Sequence, residues 1–267
     1  MIVQHNIQSM NANRQLGIGS TALAKSTEKL ASGYRINRAA DDAAGLAISE
    51  KMRGQVRGLK RASDNAQDGI SLIQTAEGMM DQQHAILQRA RELSVQAANG
   101  TNTSDDIKAI NLEVKQLSDE FTRIGASTTF NGKAINGDSS FSAGTTLQVG
   151  ANKGDTITIS WTAGEMSVDG IADQAAAQNA IKSLDDDIVK LSESRATLGA
   201  QQNRLEYTIK NDDNAAENMQ AAESQIRDVD MADEMTTYSK NNIIQQAATS
   251  MLAHANQSTQ GALSLLQ

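Results

Sequence analysis

The sequence predicts an all-α fold: a long antiparallel, coiled-coil-like helical bundle carrying one small β-hairpin, with the N- and C-terminal helices paired. Three observations predict it. Apolar residues recur at helical spacing from within the first ten of the 267 positions to the last three, and no proline interrupts them. Only 39% of residues are hydrophobic and 3% aromatic, poor material for a compact globule but suited to long thin helices packed through small side chains. Free ends are normally the least ordered part of a domain. Two apolar-striped ends therefore need a partner, either each other or another copy.

The first helix is expected over about residues 3–32, with Leu16, Leu23 and Leu30 repeating every seven residues and Gly33 as a left-handed C-terminal cap. Gly17 and Gly19 weaken it by about 1 kcal/mol each relative to alanine, so it is marginal alone and stable when packed. Tyr34 to Ala40 lacks periodicity and reads as an extended connector, after which Asp41 or Asp42 can cap the next helix. That helix, over about residues 43–99, carries a stripe through Met52, Val56, Leu59, Ser63, Ala66, Ile70, Ile73, Glu77, Met80, His84 and Leu87, apolar at most of these positions. A second stripe lies beside it at Leu72, Met79, Ile86 and Leu93, so this helix should touch several neighbours.

A turn at Asn99-Gly100-Thr101-Asn102 precedes a third helix, with Thr103 or Ser104 as N-cap and Asp105 and Asp106 favoured by the helix dipole. Its stripe of Ile107, Ile110, Val114, Leu117, Phe121 and Ile124 holds a 3-4-3-4-3 spacing, and the short turn implies an antiparallel helix pair. From about 125 to 170 the texture changes to Gly, Ser, Thr, Asn and Asp. There Thr146–Gly150 and Thr156–Trp161 alternate with period two around Asn152–Asp155, which predicts a β-hairpin, and the remainder reads as loop. A fourth helix from about Ala172 is heptad-like at Ile181, Leu184, Ile188, Leu191, Arg195, Leu198, Gln202, Leu205 and Ile209. The last helix runs from about Met231 to the end, with Ile244, Met251 and Leu252 and then Leu263 and Leu266 on its stripes. The chain goes out in helices and returns in helices.

Little here points to chemistry. His5, His84 and His254 are too far apart for a local metal pair, and no metal or other cofactor is expected. Asp185-Asp186-Asp187 reads as a solvated helix face, since the loop geometry of a calcium site is missing. Gly17-x-Gly19 follows no strand and so is not a dinucleotide fingerprint. Without cysteine, a nucleophile elbow or a poised histidine, an enzyme is not expected.

The 24 basic and 32 acidic residues give a net charge of −8, which opposes nucleic-acid binding and favours a self-repelling soluble surface. No apolar run approaches the roughly 18 residues of a membrane span, so no membrane partner is expected. The first six residues lack the features of a cleaved secretory signal. The expectation is a cytosolic chain, or one exported by a route that reads no such signal. Lys51, Arg53, Arg57, Lys60 and Arg61 place five cations in eleven residues. They form either a solvated face or a charged interface, with Arg53, Arg57 and Lys60 facing Asp228, Asp230 and Asp233.

The stretches Glu28–Ile48 and Gln67–Gly78, Phe130-Asn131-Gly132, and Glu223–Ala232 resemble the signature segments of bacterial flagellin. The resemblance covers about residues 1–160 and 172–267. It departs in the middle, where most flagellins insert outer domains and only about Thr162–Gly170 remains. It implies a homopolymer subunit of the flagellar filament, exported by the flagellar type III apparatus to an extracellular filament. Residues 1–42 and 227–267 would then be the two halves of the inner filament core, with residues 43–226 an outer-core bundle and its hairpin at about 146–161. Leu16, Leu23, Leu30, Ile244, Met251, Leu252, Leu263 and Leu266 would line the polymer core.

The resemblance further implies an export chaperone and cap and junction proteins as partners. Leu87–Gln96 resembles the family element read by Toll-like receptor five, with Gln88, Arg89, Leu93, Ile110 and Glu113 as the recognition residues and Arg89, Leu93 and Glu113 the foremost. Leu87 and Leu93 also suit plain helix-pair core. A hook–filament junction protein, which shares terminal helices, and a cytosolic coiled-coil signalling module are the alternatives at this point.

Overall fold

The computed structural model describes residues 6–136, 141 and 144–264, the side chains of 258–264 excepted. Its elements are α1 (Ile7–Ser32), α2 (Ala43–Ala97), α3 (Ser104–Ser127), β1 (Thr129–Phe130), β2 (Lys133–Ala134), β3 (Thr145–Gln148), β4 (Thr156–Ile159), α4 (Gln174–Arg227) and α5 (Met231–Ser264). The fold is all-α, with long helices, paired terminal helices and small two-stranded sheets. Residues 1–54 with 218–267 form one compact unit and residues 55–217 another, so α2 and α4 contribute to both.

Capping chemistry sets the helix boundaries. α1 starts at Ile7, where the Asn6 carboxamide accepts from the Ser9 N–H at 3.1 Å; residues 3–5 of the expected helix lie outside the described residues. It ends where Gly33, at φ 74°, donates its N–H to the Lys29 carbonyl, a conformation costly for any residue with a Cβ. The Asp42 carboxylate opens α2 by accepting from the Gly45 N–H at 2.9 Å. α2 closes at Ala97, two residues before the expected end, where the Asn99 N–H and the Asn102 carboxamide both turn back to the Gln96 carbonyl. Thr103 and Asp106 form a reciprocal capping box at the start of α3. α4 begins at Gln174 rather than Ala172, because the Asp173 carboxylate accepts from the Ala176 N–H at 2.7 Å.

The expected hairpin forms from β3 and β4, pairing Thr145 with Ile159 and Gln148 with Thr156. A second, smaller hairpin pairs β1 with β2 in a stretch read above as loop. Its turn is Asn131-Gly132, with φ of 49° and 76°, the two successive positive values that a tight primed turn requires. The Asn-Gly dipeptide was the available signal. Two-residue strands are too short for any alternation to show.

In the unit of residues 55–217, α2 buries Ile73, Met80 and Leu87 from one stripe and Leu72, Met79 and Leu93 from the other. They join Ile110, Val114 and Phe121 of α3, Leu184, Leu191, Leu198 and Leu205 of α4, and Ile157, Ile159 and Trp161 of the hairpin strand and its continuation, in one apolar core. A Cβ added at Gly58 would stand 2.8 Å from the Ala151 Cβ and 3.2 Å from its Cα, so glycine lets the hairpin lie this close to α2.

Polar residues at stripe positions find mates. Arg195 of α4 reaches Glu77 at 3.8 Å and Asp81 at 3.2 Å on α2. The acidic run of α4 is not the solvated face expected above. Asp187 is buried and accepts from the N–H and hydroxyl of Ser167 at 2.7 and 2.9 Å, while Asp185 pairs with Arg91, leaving Asp186 exposed. A helical period cannot reveal that a loop residue 20 positions earlier supplies the donors.

In the other unit the connector after α1 lies against the one before α5. The Arg35 N–H donates to the Arg227 carbonyl at 2.7 Å and the Val229 N–H to the Gly33 carbonyl at 3.0 Å, around a bridge between Tyr34 and Asp228. Arg227 stacks on the Tyr34 ring, 4.6 Å from its centroid, and pairs with Glu50 at 2.7 Å. Glu50 also pairs with Arg53 at 3.0 Å. The Asp41 carboxylate accepts from the Asn37 and Arg38 N–H groups at 3.2 and 3.1 Å and pairs with Lys25 at 2.7 Å.

Lys25 above all, then the two N–H groups, hold the Asp41 carboxyl down at about 2, against 3.8 unperturbed. A depressed folded value means that its contribution is complete above the unfolded pKa and is lost as pH falls through 3.8 toward 2. Asp41→Asn should therefore lower the thermal midpoint at pH 7 and flatten the acid limb of a midpoint-against-pH curve between pH 4 and 2, as circular dichroism melts would read.

Asp212 behaves in the opposite sense. It is 5% exposed, its Oδ2 finds no hydrogen-bond partner among the described residues, and burial, then the charges of Asp213 and Asp155, raise its pKa. Its ionised form opposes folding at neutral pH and relaxes on protonation. Asp212→Asn should stabilise the unassembled chain at pH 7 by about 1 kcal/mol. In urea titrations that gain should shrink as the pH falls to the unperturbed value of 3.8, below which both states are protonated.

Candidate functional site

The terminal-helix pair is the first candidate surface. Asn6 donates to the Ala255 carbonyl at 3.0 Å, Ser9 to the Asn256 carboxamide at 2.9 Å, and Lys29 approaches Glu234 at 3.5 Å, so α1 and α5 run antiparallel. α5 is opened by Asp230, which accepts from the N–H groups of Ala232 and Asp233. The helices meet through small residues. Gly19 and Ser26 are the buried positions of α1, and the methyl of Ile244 lies 4.0 Å from where a Cβ of Gly19 would stand. No described side chain of α5 is buried.

This pair leaves much apolar surface uncovered. Leu16, Leu23 and Leu30 are half-buried, as is Leu252, whereas Ile244 and Met251 are exposed. Leu266 lies outside the described residues, and so does the side chain of Leu263. The heptad reading missed Ile7, Met10, Ile18, Met231, Met235 and Ile243, all exposed. They sit off the leucine stripe, and their signal was simply a large apolar residue on the far side of an already striped helix. A cavity of about 590 Å³ lined by Gln8, Asn11, Ala12, Gln15, Ala248, Met251, His254 and Ala255 runs along the pair.

Charge is segregated along it. Arg14 is the one Asp, Glu, Lys or Arg in residues 6–20, and residues 241–257 contain none. Lys25, Glu28, Lys29, Asp233 and Glu234 gather at the end nearer the connectors.

The charged residues of the other expected interface have neighbours within the chain. Arg53 pairs with Glu50, Asp228 accepts from the Ser224 hydroxyl at 2.6 Å, and Asp230 is spent on the α5 cap. Asp233 is exposed in the first turn of α5. Arg57 and Lys60 are exposed and belong to the unit of residues 55–217.

The second candidate surface lies on α2 and α3. Arg89 donates from Nε and Nη2 to Glu113 Oε1 at 3.1 and 2.9 Å and from Nη1 to Glu92 at 3.2 Å. Glu113, then Glu92, raise its pKa, so the guanidinium is a fixed charge bridging the two helices. Gln88 is exposed beside it. Leu93 and Ile110 are 2% and 8% exposed and pack in the core, so they support this surface from beneath instead of forming part of it. Glu92 is a member that the spacing did not single out. Among the described residues no cluster of three His, Asp or Glu side chains could hold a metal, and no helix is long and apolar enough to cross a membrane.

Comparison with known proteins places this arrangement. Residues 3–138 match the family model of the bacterial flagellin N-terminal helical region, and residues 181–266 that of the C-terminal helical region. The chain is 53% identical to a flagellin of Halalkalibacterium halodurans, 48% identical to a flagellar filament 33 kDa core protein of Treponema phagedenis and 46% identical to a flagellin of Bacillus subtilis, each over the full length of both chains. The crystal structure of Bacillus cereus flagellin superposes with a TM-score of 0.50 at 33% identity, covering 56% of this chain and 88% of that one. A putative flagellar hook-associated protein of Vibrio parahaemolyticus superposes at 0.60 with 14% identity, over 70% of this chain and 100% of that one, a likeness of fold alone. Two terminal helical regions that match in order, and identities that run from end to end, make this chain a member of the bacterial flagellin family.

Proposed function

We propose that this chain is the structural subunit of a bacterial flagellar filament, polymerising through its terminal-helix pair to serve motility. The observation that carries the reading is the antiparallel α1–α5 pair, which buries only small residues while exposing Ile7, Met10, Ile18, Ile243 and Met251. Covering such side chains between copies removes apolar area from water, at roughly 25 cal/mol per Å², and offsets the entropy of ordering the ends. Residues 1–42 and 227–267 then form the inner filament core and residues 43–226 the shell around it. The same reading takes the subunit outside the cell through the flagellar export apparatus, with an export chaperone and cap and junction proteins as its other partners. It assigns the protein no catalysis.

Purified chain should form long helical filaments under the electron microscope. Ile18→Asp, which sets a charge on a surface destined for burial, should raise the critical concentration by at least about tenfold while leaving the helical circular dichroism of the subunit unchanged. Absence of filaments from the unaltered chain, or unchanged polymerisation of Ile18→Asp, would overturn the reading.

The bridge between Arg89 and Glu113 favours a further role for the free subunit as a ligand of Toll-like receptor five. The exposed Gln88, Arg89 and Glu113 would make the contact, with Leu93 and Ile110 holding the helices beneath them. Arg89→Ala removes only a half-exposed, solvent-screened ion pair and should leave the fold in place. It should lower potency in a receptor reporter assay by about tenfold, and equal potency would remove the residue from the surface.

A further inference from the structure

The described methionines differ widely in cover, and the most exposed of them all lie in the terminal-helix unit, which also holds the partly covered Met52 and Met219. Met79 and Met80 lie in the core at 4% and 0% exposure, and Met52, Met166 and Met219 are partly covered. Met10, Met231, Met235 and Met251 are 68%, 48%, 49% and 64% exposed, and all four belong to the terminal-helix unit. Met231 and Met235 stand one turn apart on the same face of α5, and Met251 lines the groove along the α1–α5 pair with Ala12, Ala248 and Ala255. The chain has no cysteine, so thioether sulfur is its one kind of sulfur and its first target for a two-electron oxidant.

We propose that Met10, Met231, Met235 and Met251 form an oxidation site at which a peroxide converts the free subunit into one that cannot add to a filament; the proposal rests on the filament reading above. The thioether sulfur attacks one peroxide oxygen, the O–O bond breaks as the S–O bond forms, and the departing hydroxide takes the proton from the new S–OH group, leaving sulfoxide and water. Sulfur is oxidised by two electrons and hydrogen peroxide is reduced to water, so the step balances with no further reactant.

The product is a polar sulfoxide where an apolar, adaptable side chain stood. Its oxygen must give up water on assembly, and the exposed Ile7, Ile18 and Ile243 of the terminal pair cannot donate to it, whereas beside Met251 the groove carries Gln8, Asn11, Gln15 and His254 as well as alanines. Polymerised subunits cover the same methionines, so the filament is resistant where the free subunit is sensitive. A methionine sulfoxide reductase reverses the change.

The test treats purified subunit with hydrogen peroxide, maps sulfoxides by peptide mass spectrometry and measures the critical concentration before and after. Oxidation should reach the four exposed methionines well before Met79 and Met80 and raise the critical concentration by at least about tenfold, and reductase treatment should restore it. The M10L/M231L/M235L/M251L variant should polymerise equally well with and without peroxide. Should that variant fail to assemble, partly oxidised wild-type subunit decides the matter, with sulfoxide at the four positions at least about tenfold scarcer in sedimented filament than in the supernatant. Equal sulfoxide in filament and supernatant, or normal polymerisation of fully oxidised subunit, overturns the proposal and leaves the filament reading standing. Failure of untreated subunit to polymerise overturns both.

Discussion

The return of the chain to its own beginning rests on one short contact, the pairing of the connector after α1 with the connector before α5. Two backbone hydrogen bonds, Arg35 to Arg227 and Val229 to Gly33, fix which residue of the outgoing strand of chain meets which residue of the returning one. That register sets Lys29 beside Glu234 and, further along, Asn6 beside Ala255. Helices joined through glycine, serine and alanine interlock weakly and could slide by a turn. The connectors, held by the Arg227–Tyr34 stack and the Asp41 clamp, supply the definition that the helix surfaces lack.

The two units solve the problem of burial in different ways. In residues 55–217 the wide double stripe of α2 is covered by α3, α4 and the hairpin, and even the polar interruptions Arg195, Glu77 and Asp81 are matched within the chain. In the terminal unit α1 and α5 face each other, and two helices cannot cover one another's full circumference. Ile7, Met10, Ile18, Ile243 and Met251 stand exposed there.

Much of this was legible from residue spacing. The five helices follow from periods of three and four, the Gly33 cap from residue type, and the larger hairpin from alternation around Asn152–Asp155, while residue type narrowed two further caps to Asp41 or Asp42 and Thr103 or Ser104, of which Asp42 and Thr103 serve. What stayed hidden depends on partners distant in sequence. Asp187 looks like one of three solvated acids until Ser167 folds over it. The hairpin at Asn131-Gly132 is too short to carry a pattern, although its dipeptide marks the turn. At the candidate surfaces, the resemblance picked out Arg89 and Glu113, and the structure pairs them. The apolar stripe had already placed Leu93 as core, where it packs, while the resemblance had offered it as a recognition residue, and the leucine heptad drew attention away from the isoleucines and methionines on the opposite face.

The uneven placement of charge along the terminal pair gives its two ends different responses to ionic strength. Near the connectors, the contacts of Lys25, Lys29 and Asp41 are electrostatic, and added salt screens them over a Debye length of about 8 Å at 0.15 M. Toward the other end, Arg14 apart, the described contacts are neutral amide and hydroxyl ones beside bare apolar groups, and strongly hydrated anions such as sulfate reinforce burial of that kind. Sulfate therefore loosens the root of the pair while making its tips more adhesive, whereas chloride at the same ionic strength does mainly the first. The identity of the anion, and not only its concentration, becomes a variable that acts separately on the two ends of the pair.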